Sequence, residues 1–116
     1  MYEEFEKWAN RALKNVSEEI DGICFNLYEN EDNKYFMEIV GCKIDDEDVA
    51  CDWPCNEITD FDTRENPFVI IEEEKDYTYV LDITIEMIKK YKKNNDKLIH
   101  LSRIATGFVD GDLYTL

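Results

Sequence analysis

The sequence predicts an α+β fold, one domain over residues 1–116, with about five strands in a mainly antiparallel sheet and two helices on one face. Three observations lead there. Two stretches carry apolar residues at helical spacing, and each is followed by shorter runs that alternate like strands. Turn-forming residues separate those runs at close intervals. Hydrophobic residues make up 44% of the chain and aromatics 13%, enough to bury a real core.

The first helix is predicted over residues 2–20, where Tyr2, Phe5, Ala9, Ala12, Leu13, Val16 and Ile20 recur three and four apart. Asp21-Gly22 closes it, because glycine tolerates the left-handed position that follows a helix. Residues 23–28 form a strand with Ile23, Phe25 and Leu27 on one face. After the polar stretch Glu29 to Asn33, residues 34–44 form a second strand with Tyr35, Met37 and Ile39 on one face, and the two make an antiparallel hairpin. Residues 45–66 read as irregular and acidic, and Pro67 introduces the apolar run 68–71, which suits a buried strand. Residues 77–93 carry two signals. The β-branched composition of YTYVLDITI favours a strand, whereas Val80, Thr84, Met87, Ile88 and Tyr91 form a helical stripe. Helix is preferred, with Asp76 as its cap and Lys89, Lys90, Lys92 and Lys93 at its negative end. Residues 98–116 are predicted to close the sheet with a hairpin turning tightly at Asp110-Gly111.

Charge narrows the function classes. Twenty-eight acids against thirteen bases give a net charge of −15. Such a chain repels nucleic acid and anionic membrane and attracts basic surfaces. The start, MYEEFEKW, lacks the basic and apolar regions of a signal peptide, and no apolar run approaches the ~20 residues of a membrane span. A cytoplasmic protein is therefore expected, with Cys24, Cys42, Cys51 and Cys55 as reduced thiols.

Candidate chemistry is thin. The one histidine, His100, sits in the apolar segment KLIHLSRI, and no nucleophile has an evident base beside it. Cys51 and Cys55 have zinc-compatible spacing, but no second pair follows, and Cys24 and Cys42 fall on strands, where cysteine behaves as a small hydrophobe. Asp45 to Asp48 lack the spaced pattern of a calcium loop, and turn chemistry accounts for Asp110 and Asp112. With 28 acids, some carboxylate pair fits any spacing, so such pairs carry no information. No glycine loop suited to phosphate and no GxSxG is present. The reading assigns no catalytic residue, no metal ligand and no cofactor.

The charge is also segregated. Residues 45–76 hold thirteen acids against two bases, a net of −11, while residues 86–103 hold two acids against six bases, a net of +4. The acidic segment includes aromatic residues, the usual anchors of a tight interface. Asp45, Asp46, Glu47, Asp48, Asp52 and Glu57 are therefore expected to steer a basic protein partner, with Trp53 or Phe61 anchoring it. The competing account is a solvated acidic loop with Trp53 tucked into the core.

The stretches FNLYEN (25–30), YFMEIVG (35–41), CDWPCNE (51–57) and GFVDGDLY (107–114), in this layout, resemble the small acidic immunity proteins of bacterial polymorphic toxin and contact-dependent inhibition systems. That resemblance implies stoichiometric binding that covers or distorts the active site of a cognate toxin, such as a nuclease, and it brings no catalytic residues. The alternatives are a nucleic-acid mimic that blocks a DNA-binding protein and a small enzyme or metal protein.

Overall fold

The computed structural model describes residues 1–30, 34–44, 57–71, 77–101, 103–109 and 111–116, with the Asn30 side chain left aside. Helix α1 runs Tyr2–Ala12, followed by β1 (Gly22–Asn30), β2 (Lys34–Cys42), β3 (Glu57–Thr59), β4 (Phe68–Ile71), α2 (Tyr77–Asn94), β5 (Arg103–Phe108) and β6 (Tyr114–Thr115). The class is α+β. Among the described residues the sheet has six strands, one more than the sequence suggested, in the order β3-β2-β1-β5-β6 with β4 also paired to β2. Every pairing is antiparallel except β1 with β5, which run parallel.

Helix α1 is shorter than its periodicity. It stops at Ala12, where the Leu13 amide still bonds the Ala9 carbonyl. Lys14, Asn15, Val16 and Ser17 include weak helix formers, and the chain turns instead, with the Ile20 amide on the Ser17 carbonyl. Ile20 still reaches the core and Val16 packs beside it, so the apolar spacing outlasts the helix that it normally signals. Helix α2 is the helix its stripe implied. Val80, Thr84, Met87, Ile88 and Tyr91 are all buried, which settles the helix-or-strand question for 77–85. Asp76 lies outside the described residues.

Both helices bury against one face of the sheet. Ile23, Phe25 and Leu27 of β1 and Tyr35, Met37 and Ile39 of β2 point there, and Phe5, Trp8, Val80, Ile88 and Tyr91 meet them from the helices. The opposite face carries a smaller cluster, Cys24, Val40, Cys42 and Ala105, against which Ile44 and Leu113 pack.

Three expectations change in the second half. The expected irregular segment 45–66 contains β3, and residues 45–56 lie outside the described residues. Strand β4 is half-buried rather than buried. Phe68 and Ile70 face the core, whereas Val69 and Ile71 are 44% and 60% exposed, because β4 pairs with β2 alone and nothing described covers its outer side. The last hairpin forms, but with a longer connection. Thr106 pairs with Tyr114, and Gly111 has no positive φ, so a type I′ turn at 110–111 does not apply.

The route from β3 to β4 is built by side chains. Phe61 and Asp62 are both left-handed, with φ of 51° and 62°, and their amides are held by Thr59 Oγ1 and Asp60 Oδ1 at 3.0 Å each. This loop brings Thr63 beside Ile39, between the stretches of β2 that β3 and β4 occupy. The Ile39 amide donates to Thr63 Oγ1 at 2.8 Å. One side chain thus takes the place of a strand residue on β2.

Candidate functional site

Of the residues expected to meet a partner, Asp45, Asp46, Glu47, Asp48, Asp52 and Trp53 lie outside the described residues, as do Cys51 and Cys55. Glu57 and Phe61 are described, on β3 and the turn after it. Phe61 packs against Ile20 and Gly41. A Cβ built on Gly41 would lie 2.9 Å from each of those side chains, so the glycine makes the space for the ring. Phe61 keeps partial exposure, and its packing gives it a place in the fold as well.

Glu57 belongs to a polar chain across the outer face of the sheet. Arg64 Nη2 donates to Glu57 Oε1 at 2.7 Å, and Arg64 Nε donates to Glu38 Oε2 at 2.9 Å. Asn26 Nδ2 donates to the other Glu38 oxygen at 3.3 Å, and the Cys24 thiol donates to Asn26 Oδ1 at 3.0 Å. The two carboxylates hold the Arg64 guanidinium well above its ordinary pKa, through hydrogen bonds from Glu57 first and Glu38 second. Glu38 is only 7% exposed, so the chain around it supplies the partners that a buried carboxylate requires.

This arrangement sets a first test. Arg64→Met should lower stability by about 1–2 kcal/mol, a modest loss because Arg64 is half-exposed and water screens it. Adding Glu38→Gln should restore part of that loss, since the neutral amide no longer needs a cation. Urea unfolding of the single and double variants measures both, and equal losses in the two would show that Arg64 and Glu38 are not coupled.

Cys24 and Cys42 are fully buried thiols on this face. Burial, and then the neighbouring Cys42 and Glu38, push the Cys24 pKa up to about 12, so at neutral pH it is the protonated, unreactive form. His100 lies exposed in the turn after α2. Among the described residues no group of three His, Cys, Asp or Glu side chains is placed to hold a metal ion. No described helix is long and apolar enough to cross a membrane.

A second feature has no local signature in the sequence. Where the parallel strands β1 and β5 end, a cleft of about 550 Å³ opens beside the start of α2. Its walls include Tyr28, Tyr77, Phe108 and Tyr114, with Glu29 and Asp112 beside them. The rings are arranged as well as near. Phe108 meets Tyr77 edge-on at 5.9 Å and 88°, and Tyr35 at 5.9 Å and 72°. Tyr28 stands edge-on to Phe36 at 5.6 Å. These aromatics come from four elements, β1, α2, β5 and β6, so no local motif announces them. The faint signal was the number of tyrosines, seven in one small acidic chain.

Glycine explains one wall. A Cβ on Gly107 would run into the Asp112 carbonyl oxygen, so the bare backbone lets the segment around Asp112 close over β5. No protein-family model, curated protein or solved structure matches this chain.

Proposed function

We propose that this domain acts without catalysis, by binding a basic protein stoichiometrically in the cytoplasm, in the manner of an immunity protein that neutralises a toxin. The observation that carries the reading is the segregated charge: −15 overall, with −11 in residues 45–76 alone. A field of that sign draws in a cationic surface and repels polyanions. Glu57 is held by Arg64 at 2.7 Å, so the proposal assigns steering to the other acids of the segment.

Steering and anchoring separate in kinetics. Charges on the rim act at long range and set the association rate, while a desolvated aromatic sets the dissociation rate. The experiment is co-purification with the product of the adjacent gene, followed by binding kinetics of variants. A one-to-one complex is expected. Neutralising Asp45, Asp46, Glu47 and Asp48 together should slow association about tenfold at low salt, with a smaller effect at high salt. Trp53→Ala should speed dissociation by about thirtyfold or more at any salt, with circular dichroism confirming the fold. Unchanged rates in the acidic variant, with binding lost on replacing Lys89, Lys90, Lys92 and Lys93, would move the interface to the basic end of α2 and reverse the sign of the partner.

A further inference from the structure

We infer that the aromatic cleft at the ends of β1 and β5 is a binding site for an arginine side chain presented by a protein partner. The site lies away from Glu57 and Phe61, the two expected partner-binding residues that the structure describes, although β4 of the acidic segment pairs with β2 near it and Tyr77 directly follows that segment in sequence. Tyr28 and Glu29 sit where β1 ends and β2 begins, whereas β3 pairs with the far end of β2, at Gly41 and Cys42. The inference shares with the preceding proposal only the basic character of the partner.

Three properties of the cleft select the ligand. Two of its aromatic residues are open to solvent, Tyr77 61% and Tyr114 41% exposed, and a cation over an aromatic face is attracted by the ring quadrupole. Its described charged residues, Glu29 and Asp112, are both carboxylates, and no Lys, Arg or His is among its described lining. Its volume, about 550 Å³, takes a long side chain together with its flanking backbone. Arginine meets all three requirements better than lysine. Its planar guanidinium stacks on aromatic faces while its fork of N–H donors bonds a carboxylate, and it sheds water more readily than an ammonium.

The position of α2 opposes this choice. Tyr77 begins that helix, whose N-terminus carries roughly half a positive charge. Two full carboxylates outweigh it, and the chain's overall field adds to them. An anion would profit from the helix end but would face Glu29 and Asp112.

The test uses the intact chain and N-acetyl-arginine-amide as the probe, followed by amide chemical shifts. The neutral isostere N-acetyl-citrulline-amide and inorganic phosphate serve as comparison arms. Saturable shifts are expected at residues 28–29, 77–81 and 108–114 with the arginine probe, and none of comparable size with the other two. Asp112→Asn and Tyr114→Ala, both at exposed positions, should each weaken the probe about threefold or more while leaving the unfolding midpoint unchanged. Equal response to citrulline, saturation by phosphate, or shifts spread evenly over the acidic surface would overturn the assignment. Because the probe needs no cognate protein, a failure here leaves the partner experiment above intact, and a failed co-purification leaves this site standing.

Discussion

Replacing Phe5 with alanine is expected to lower stability by about 3–5 kcal/mol, the range for emptying a buried aromatic site. Phe5 is fully buried and stands at the junction of both helices and the sheet. Its ring meets Phe68 edge-on at 5.6 Å and Tyr91 edge-on at 6.0 Å, and it lies 6.1 Å from Phe25 and 6.0 Å from Trp8. Those neighbours come from β4, α2, β1 and α1, so no single element can move in to fill the gap. The surrounding rings are themselves tied down. Tyr91 donates to Asn10 Oδ1 at 2.7 Å, and the Trp8 indole donates to the Asn66 carbonyl at 2.8 Å. A cavity that cannot collapse costs most. Small domains have about 5–15 kcal/mol in all, so Phe5→Ala removes a large share. Urea unfolding should give that loss for Phe5→Ala and a much smaller one for Phe5→Leu. A loss under about 1 kcal/mol for alanine would show that the aromatic cluster does not hold the helices to the sheet.

Phe5 also shows what the sequence made legible. Its place in a stripe with Ala9 and Leu13 was visible, because burial against a sheet demands apolar residues at helical spacing. The hairpin β1–β2, the inward residues of both strands and the stripe of α2 were readable for the same reason. What the sequence hid was non-local or special in backbone. Parallel pairing of β1 with β5 joins residues some eighty positions apart, and each strand alone reads the same for either direction of pairing. Two successive left-handed residues, Phe61 and Asp62, carry no glycine to announce them. Ile20 kept the helical period without the helix, because a turn can deliver an apolar side chain to the same core.

The candidate sites divide in the same way. Charge is additive along the chain, so the acidic segment was visible by counting. Glu38 was not, since it sits among apolar residues of β2 and gains its meaning from Arg64, twenty-six positions away. The cleft depends on Tyr28, Tyr77, Phe108 and Tyr114 converging from separate stretches, which only the sheet order accomplishes.

Thr63→Val is expected to cost about 2–4 kcal/mol although it keeps the side chain's shape and adds apolar surface. The reason is the gap in the pairing of β2. Strand β3 meets β2 at Gly41 and Cys42, and β4 meets it from Lys34 to Met37. Ile39 falls between them, and its amide and carbonyl point away from β1 toward the β3–β4 side. Thr63 is 2% exposed there, and its Oγ1 accepts from the Ile39 amide at 2.8 Å. The hydroxyl proton lies within reach of the Asp60 carbonyl at 2.6 Å and the Ile39 carbonyl at 3.1 Å, and it can serve only one of them at a time. Valine leaves the buried Ile39 N–H unsatisfied, and the Ile39 carbonyl too when the hydroxyl serves it, whereas the Asp60 carbonyl still accepts from the Thr63 amide at 2.9 Å; each unsatisfied group costs about 1–3 kcal/mol. Serine keeps the hydroxyl and loses only a methyl, so Thr63→Ser should cost about 1 kcal/mol. Native-state hydrogen exchange supplies the local readout: the Ile39 amide should lose protection in the valine variant beyond the global change and keep it in the serine variant. Should valine prove no worse than serine, the hydroxyl would be incidental, and packing alone would carry β2 across from β3 to β4.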